Sequence, residues 1–158
     1  MNRSKDMTDS ALLDRARRYC ALAEQCESGV RQKLVVWGAG ASEADSIVAR
    51  LRNDGYLDDK RYARAYCESK MLQQGWGRQK VLYQLRLKHL PKEAIDSGVA
   101  VVDEDRYQEV LREVTERKMR ELGSDFTPEN QRKLVSFLTS RGFTFGEINK
   151  VITNILEQ

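Results

Sequence analysis

Ala16-Arg17-Arg18-Tyr19-Cys20 returns as Ala63-Arg64-Ala65-Tyr66-Cys67, 47 positions later. The same offset of 47 carries Arg31-Gln32-Lys33 onto Arg78-Gln79-Lys80, and Leu34 then falls on Val81. Two blocks in one register, with no gap between them, read as a tandem repeat. A weaker third copy follows. Lys70-Met71 and Gly75 match Lys118-Met119 and Gly123 at an offset of 48, and Arg132-Lys133-Leu134-Val135 echoes Arg78 to Leu82 after a short insertion. The chain therefore divides into three units of about 47 to 54 residues. Their expected limits are 10–55, 56–103 and 104–158, behind a disordered tail at 1–9.

Each unit reads as three helices. Thr144 stands three residues before Glu147, the spacing of a capping box, with Phe143 and Ile148 as its hydrophobic staple. Ile148, Val151, Ile152 and Ile155 then fall on one helical face. Gly142 and Gly55 stand where a glycine closes a helix. Asp58 is an N-cap, with Leu57 and Tyr62 as staple, and Thr127-Pro128 pairs a cap with a proline at the first helical position. Pro91 opens another helix, and Ser42 with Asp45 makes a weaker capping pair. Nine helices follow, at about 8–26, 29–37, 42–54, 58–74, 78–90, 92–102, 104–122, 128–141 and 144–157. The expected fold is all-α: three tandem three-helix repeats in an elongated, curved array.

Composition agrees with helices and removes several functions. Of 158 residues only two are proline and ten glycine, while 32% are charged. No stretch reaches the roughly 18 apolar residues that cross a bilayer, and Met1 to Asp9 lacks the apolar core of a signal peptide. The expected location is the cytoplasm, with no membrane partner. His89 is the single histidine, and Cys20, Cys26 and Cys67 form no Cys-x-x-Cys pair. No metal site, disulfide framework or cofactor is expected. Neither Gly-x-x-x-x-Gly-Lys-Ser/Thr nor Gly-x-Gly-x-x-Gly occurs, and no nucleophile–base pair stands out, so the chain does not read as an enzyme.

The net charge of +3 hides a strong asymmetry. Between Lys60 and Lys92 nine basic residues face one acid, Glu68, a balance of +8. Residues 104–158 carry nine basic and ten acidic residues, a balance of −1. A basic centre suits a polyanion or an acidic protein surface. On the fifth helix Val81, Leu82 and Leu85 face a core. Lys80, Gln84 and Lys88 form one exposed stripe, with Gln79, Tyr83 and Arg86 as its neighbour. Rows of such donors meet phosphates, and an interleaved aromatic can stack on a base. The candidate contacts are Lys60, Arg64, Lys70, Arg78, Lys80, Tyr83, Arg86 and Lys88. Tyr62 and Tyr66, one turn apart, read as core; Trp76, between two glycines, fits core cover and contact equally well. His89, near the end of the fifth helix where the dipole favours a cation, reads as a cap rather than a catalyst.

The stretch Gly55-Tyr56-Leu57-Asp58-Asp59-Lys60-Arg61-Tyr62-Ala63-Arg64-Ala65-Tyr66 resembles the signature of the RecX family of bacterial recombinase regulators. The resemblance continues through Gly75-Trp76-Gly77-Arg78 and the helix that reaches Leu85-Arg86. One departure follows: the family commonly has Lys-Gly-(Ile/Val), where this chain has Lys88-His89-Leu90.

The resemblance implies a monomeric regulator that binds the RecA–DNA filament, lies in its groove and also binds single-stranded and double-stranded DNA. It implies restraint of strand exchange, ATP hydrolysis and co-protease activity, in DNA repair and the SOS response. Two other readings stay open at this level. One is a helical DNA-binding protein with helix-turn-helix-like units acting apart from RecA, its fifth helix reading DNA. The other is a helical scaffold that binds only proteins.

Overall fold

The computed structural model describes the backbone of residues 3–158 and the side chains from Ala11 onward. Among the described residues it is all-helical. The helices are α1 Arg3–Leu22, α2 Glu27–Val36, α3 Ala41–Asn53, α4 Asp59–Cys67, α5 Arg78–Leu87, α6 Lys92–Ala100, α7 Glu104–Leu122, α8 Pro128–Ser140 and α9 Phe145–Leu156. α1 starts at Arg3, so all but the first two residues of the expected tail continue the helix. No proline or glycine interrupts Arg3 to Leu22, which leaves nothing to stop it. Met1 and Asn2 lie outside the described residues.

The caps follow the sequence signals. Asp58 accepts the Lys60 and Arg61 amides, Thr127 accepts the Asn130 amide, and Thr144 and Glu147 form the full capping box. In each unit the second helix closes with the same pair of bonds. The amides of Gly38 and Ala39 reach Val35 and Leu34, those of His89 and Leu90 reach Arg86 and Leu85, and those of Gly142 and Phe143 reach Thr139 and Leu138. This closure puts the first residue of each pair in the left-handed region, at φ 102°, 58° and 100°.

The repeat register is not constant. α2 and α5 are both ten residues long but begin 51 positions apart, and their buried pairs are Val30–Leu34 and Val81–Leu85. Arg78-Gln79-Lys80 opens α5, whereas Arg31-Gln32-Lys33 lies in the second turn of α2. The offset of 47 therefore holds for Ala16 and Cys20 against Ala63 and Cys67, and becomes 51 afterwards. The four extra residues lengthen the first helix of the middle unit. After Cys67 the helix widens into a π-helical segment, Glu68–Gln73, ending where the Gln74 amide donates to the Ser69 carbonyl, five residues back.

Apolar residues gather into two clusters, not three. The first unit has its own, including Ala16, Val30, Leu34, Val48, Leu51 and Leu57. The middle and third units share the other, in which Met71, Val81 and Leu85 join Tyr107, Leu111, Phe143 and Ile148. α4 lies so close on α6 that a Cβ on Gly98 would sit 2.8 Å from the Ala63 backbone. The accessible surface is 9819 Å². A compact monomer of this mass would show about 8,100 Å². The excess is that of an elongated arrangement of small units.

Candidate nucleic-acid interface

α4, its π-helical extension and α5 build an aromatic ledge ringed by ammonium groups. Tyr62 and Tyr66, one turn apart, stack with centroids 5.8 Å apart, and Tyr66 meets Trp76 edge-on at 6.4 Å. Lys80 Nζ lies 4.2 Å and Lys70 Nζ 4.7 Å from the Trp76 ring centre. Lys70 and Lys88 also lie 5.6 and 6.0 Å from the Tyr66 ring. The rings and the lysines are half-buried. Each lysine stem covers apolar surface while its charge stays at the rim, where an anion can reach it.

Local structure explains the convergence. Lys80, Gln84 and Lys88 recur at four-residue spacing, so they line one flank of α5 beside the buried Val81 and Leu85. The π-helical segment supplies Lys70 from a second element, and Gly75, at φ 71°, turns the chain so that Trp76 caps the ledge. Burial pushes the Tyr66 hydroxyl above its usual range and the Tyr62 hydroxyl up to about 12. Both phenols are therefore neutral rings at physiological pH. Among the described residues none of the three lysines has a carboxylate partner; Lys70 donates only to Gln74, at 3.3 Å. Two arginines nearby differ. Arg61 pairs with Glu24 at 2.6 Å, and Arg78 with Glu104 at 2.6 Å.

The structure gathers three of the eight candidates predicted from the sequence, Lys70, Lys80 and Lys88. Arg78 is engaged elsewhere: its guanidinium stacks 4.5 Å over Tyr107 and binds Glu104, which fastens the middle unit to the third. Arg64 donates to Ser97 on α6, at 3.1 and 3.2 Å. Lys60 shares that side of α4, about 160° around the helix from Tyr62 and about 120° from Tyr66. Tyr83 and Arg86 are exposed; Tyr83, three residues after Lys80, lies about 60° from it, whereas Arg86 lies about 160° around α5 from Gln84, on the far side from the lysine stripe. Tyr83 adjoins the stripe, and Arg86 faces away from it.

The aromatic floor is what sequence reasoning missed. Tyr62 and Tyr66 at four-residue spacing carry the same signal as a core stripe, and only their half-burial separates the two. The signal that could have found them is the absence of acids: Glu68 is the one carboxylate between Lys60 and Lys92. Among the described residues no group of three His, Cys, Asp or Glu side chains is placed to hold a metal ion. Among the described residues no helix is long and apolar enough to cross a membrane.

Comparison with known proteins points to one family. A model of the second three-helix domain of RecX matches residues 58–98, and one of the third three-helix domain matches residues 104–152. The chain is 30% identical over 155 residues to the regulatory protein RecX of Cronobacter sakazakii, covering 92% of each. It is 31% identical over 137 residues to that of Thermus thermophilus, covering 87% of each. Its fold is similar to the crystal structure of RecX from Lactobacillus salivarius, with a TM-score of 0.82 at 18% identity, over 95% of this chain and 97% of the other.

Proposed function

The chain belongs to the RecX family of regulatory proteins, and on that premise we propose that it binds the RecA–DNA filament and restrains it. Strand exchange, ATP hydrolysis and co-protease activity of RecA would all fall, placing the protein in DNA repair and the SOS response in the cytoplasm. The observation that carries this reading is the ledge of Tyr66 and Trp76 under Lys70, Lys80 and Lys88. Three cations without carboxylate partners form an electrostatic seat for phosphates, and the rings beneath offer stacking faces. DNA of the filament, single-stranded or duplex, is the partner that this chemistry fits. Exposed Tyr83 and Leu87 on the outward side of α5, with Arg86 on its far flank, suit a protein surface, since tyrosine and arginine dominate interface anchors. One helix can thus face DNA and RecA on different sides. An elongated monomer of similar units suits a helical polymer, because successive units can meet equivalent surfaces.

The test is RecA-dependent ATP hydrolysis on single-stranded DNA, with and without the chain. The expected result is a fall in hydrolysis that Lys80→Glu with Lys88→Glu relieves. Unchanged hydrolysis beside salt-sensitive binding of naked DNA would select the helical DNA-binding protein acting apart from RecA.

A further inference from the structure

The first unit carries a second cation–aromatic platform. Tyr19 on α1 and Trp37, the C-cap of α2, meet edge-on with centroids 5.8 Å apart. The Arg15 guanidinium lies 4.1 Å over the Trp37 ring, and Lys33 Nζ lies 5.9 Å from the Tyr19 ring. Both rings are half-buried, and both cations are exposed. The placement repeats that of the middle unit: Tyr19 corresponds to Tyr66 at offset 47, and Trp37 to Lys88, the C-cap of α5, at offset 51.

Charge pairing separates these two cations from four of the five other arginines of the first unit. Elsewhere in the first unit Arg17, Arg31, Arg50 and Arg52 each hold a carboxylate, at 3.3, 2.8, 2.9 and 2.5 Å. Among the described residues Arg15 and Lys33 hold rings instead, as Lys70, Lys80 and Lys88 do. Five cations, two exposed and three half-buried, lie over the rings of the two platforms, and among the described residues none of the five has a carboxylate partner.

The two platforms adjoin. Glu24 at the end of α1 binds Arg61 at 2.6 Å, the Glu27 amide donates to Asp59 at 3.0 Å, and the Ser28 hydroxyl donates to the Lys88 carbonyl. These bonds bring the end of α1 against the start of α4. Tyr19 is accordingly among the neighbours that act on the Tyr62 hydroxyl, with Cys26 and Tyr66. Two ring series, Trp37–Tyr19 and Tyr62–Tyr66–Trp76, thus flank the junction of α1 with α4.

From this we infer that Arg15, Tyr19, Lys33 and Trp37 form a second binding site for single-stranded nucleic acid, continuous with the ledge on the middle unit. The strand would lie along the ring series, its phosphates on the five cations and its unpaired bases on the rings. A duplex keeps its base faces stacked inside and offers them to no ring, which is why the inferred ligand is single-stranded. The site rests on the nucleic-acid reading of the middle unit and extends it to the first.

The two tryptophans of the chain stand one in each platform, so each site has its own reporter. Trp76→Phe leaves Trp37 as the emitter, and Trp37→Phe leaves Trp76. Each variant is titrated with an oligothymidylate and, separately, with inorganic polyphosphate. The expected result is quenching of both emitters by the oligothymidylate and of neither to that extent by polyphosphate. In a second arm Arg15→Gln with Lys33→Gln keeps both tryptophans and changes only exposed cations. There the slope of log affinity against log salt should lose about 1.4, at about 0.7 for each phosphate contact on a single strand. Quenching of Trp76 with a silent Trp37 and an unchanged slope would overturn the first-unit site and leave the middle-unit reading standing. Silence of both emitters would overturn both. Equal quenching of Trp37 by polyphosphate would overturn stacking on the first-unit rings.

Discussion

Gly77 and Gly142 touch backbone to backbone: a Cβ on Gly77 would lie 2.1 Å from the Gly142 carbonyl carbon. From the other side, a Cβ on Gly142 would lie 2.4 Å from that of Lys80. The contact joins the start of α5 to the turn between α8 and α9, and with it the middle unit to the third. Gly77→Ala forces the two backbones apart. The expected loss is about 1–3 kcal/mol, the usual cost of overpacking a tight contact. Urea unfolding of the variant beside the parent chain measures it.

That junction also holds α5 together at its N-terminus. Gly77, its N-cap, has no side chain to accept the free amides of the first turn. The third unit accepts them instead: Gly77 N–H donates to Arg141 O at 2.7 Å, Arg78 N–H to Tyr107 Oη at 3.0 Å, and Gln79 N–H to Gly142 O at 3.2 Å. Three self-contained repeats would let a chain cut at about Asp103 keep its first two units folded. The shared core and these three bonds lead to the opposite expectation. A 1–103 fragment should lose helix content in α5 and with it DNA affinity, which circular dichroism and a binding titration on the same sample would reveal. Undiminished affinity would mean that α5 stands without the third unit.

The two faces of α5 should separate in their salt response. Lys80→Gln and Lys88→Gln should each lower the slope of log affinity against log salt by about 0.7 on single-stranded DNA. Arg86→Gln, on the far side, should leave the slope unchanged. A loss of slope with Arg86→Gln equal to that of the lysines would merge the two faces.

His89 is the one described residue other than glycine with positive φ, at 58°. It holds the place that Gly38 and Gly142 hold in the other units. The left-handed region costs an L-residue roughly 1–2 kcal/mol, less the greater entropy that glycine loses on folding. His89→Gly should therefore stabilise the chain by about 0.5–1 kcal/mol. The thermal midpoint should rise, and DNA affinity should not move.

Alkali should unfold the protein in a defined window. Burial, and after it the charge of Glu68, pushes the Cys67 thiol up to about 11 from an ordinary 9.0. Burial, and after it Cys26, pushes the Tyr62 hydroxyl up to about 12 from 10.0. In both cases the folded chain holds the proton more tightly than the unfolded chain. Stability from these groups is complete below about pH 9 and falls as pH rises through 9–12, because the unfolded state loses its protons first. Urea midpoints taken across that range should decline from about pH 9 in the parent chain. In Cys67→Ala the decline between about pH 9 and 10 should be shallower, with Cys20, whose thiol is also raised by burial, still contributing.

The sequence by itself determined the class of fold, the number of helices and most of their ends. Those properties rest on local rules: an acid, serine or threonine at a helix start, a glycine at its stop, a period of 3.6 within it. Asp58, Thr127 and Thr144 cap as their spacing requires, and Gly38 and Gly142 close as expected of glycine. The repeat was legible too, through Ala16 and Ala63, both wholly buried. Its register was not. Arg31-Gln32-Lys33 and Arg78-Gln79-Lys80 are identical strings in different turns of their helices, because a string match cannot sense the extra π-helical turn between them. Only the tertiary structure decided which cations act together. Lys70 joins Lys80 and Lys88 because the chain folds back over Trp76, while Arg78, two residues from Lys80, is drawn to Glu104 and Tyr107 across a contact between units. Charge along a chain is local and can be counted, but the partner of each charge is set by packing between residues far apart in the sequence.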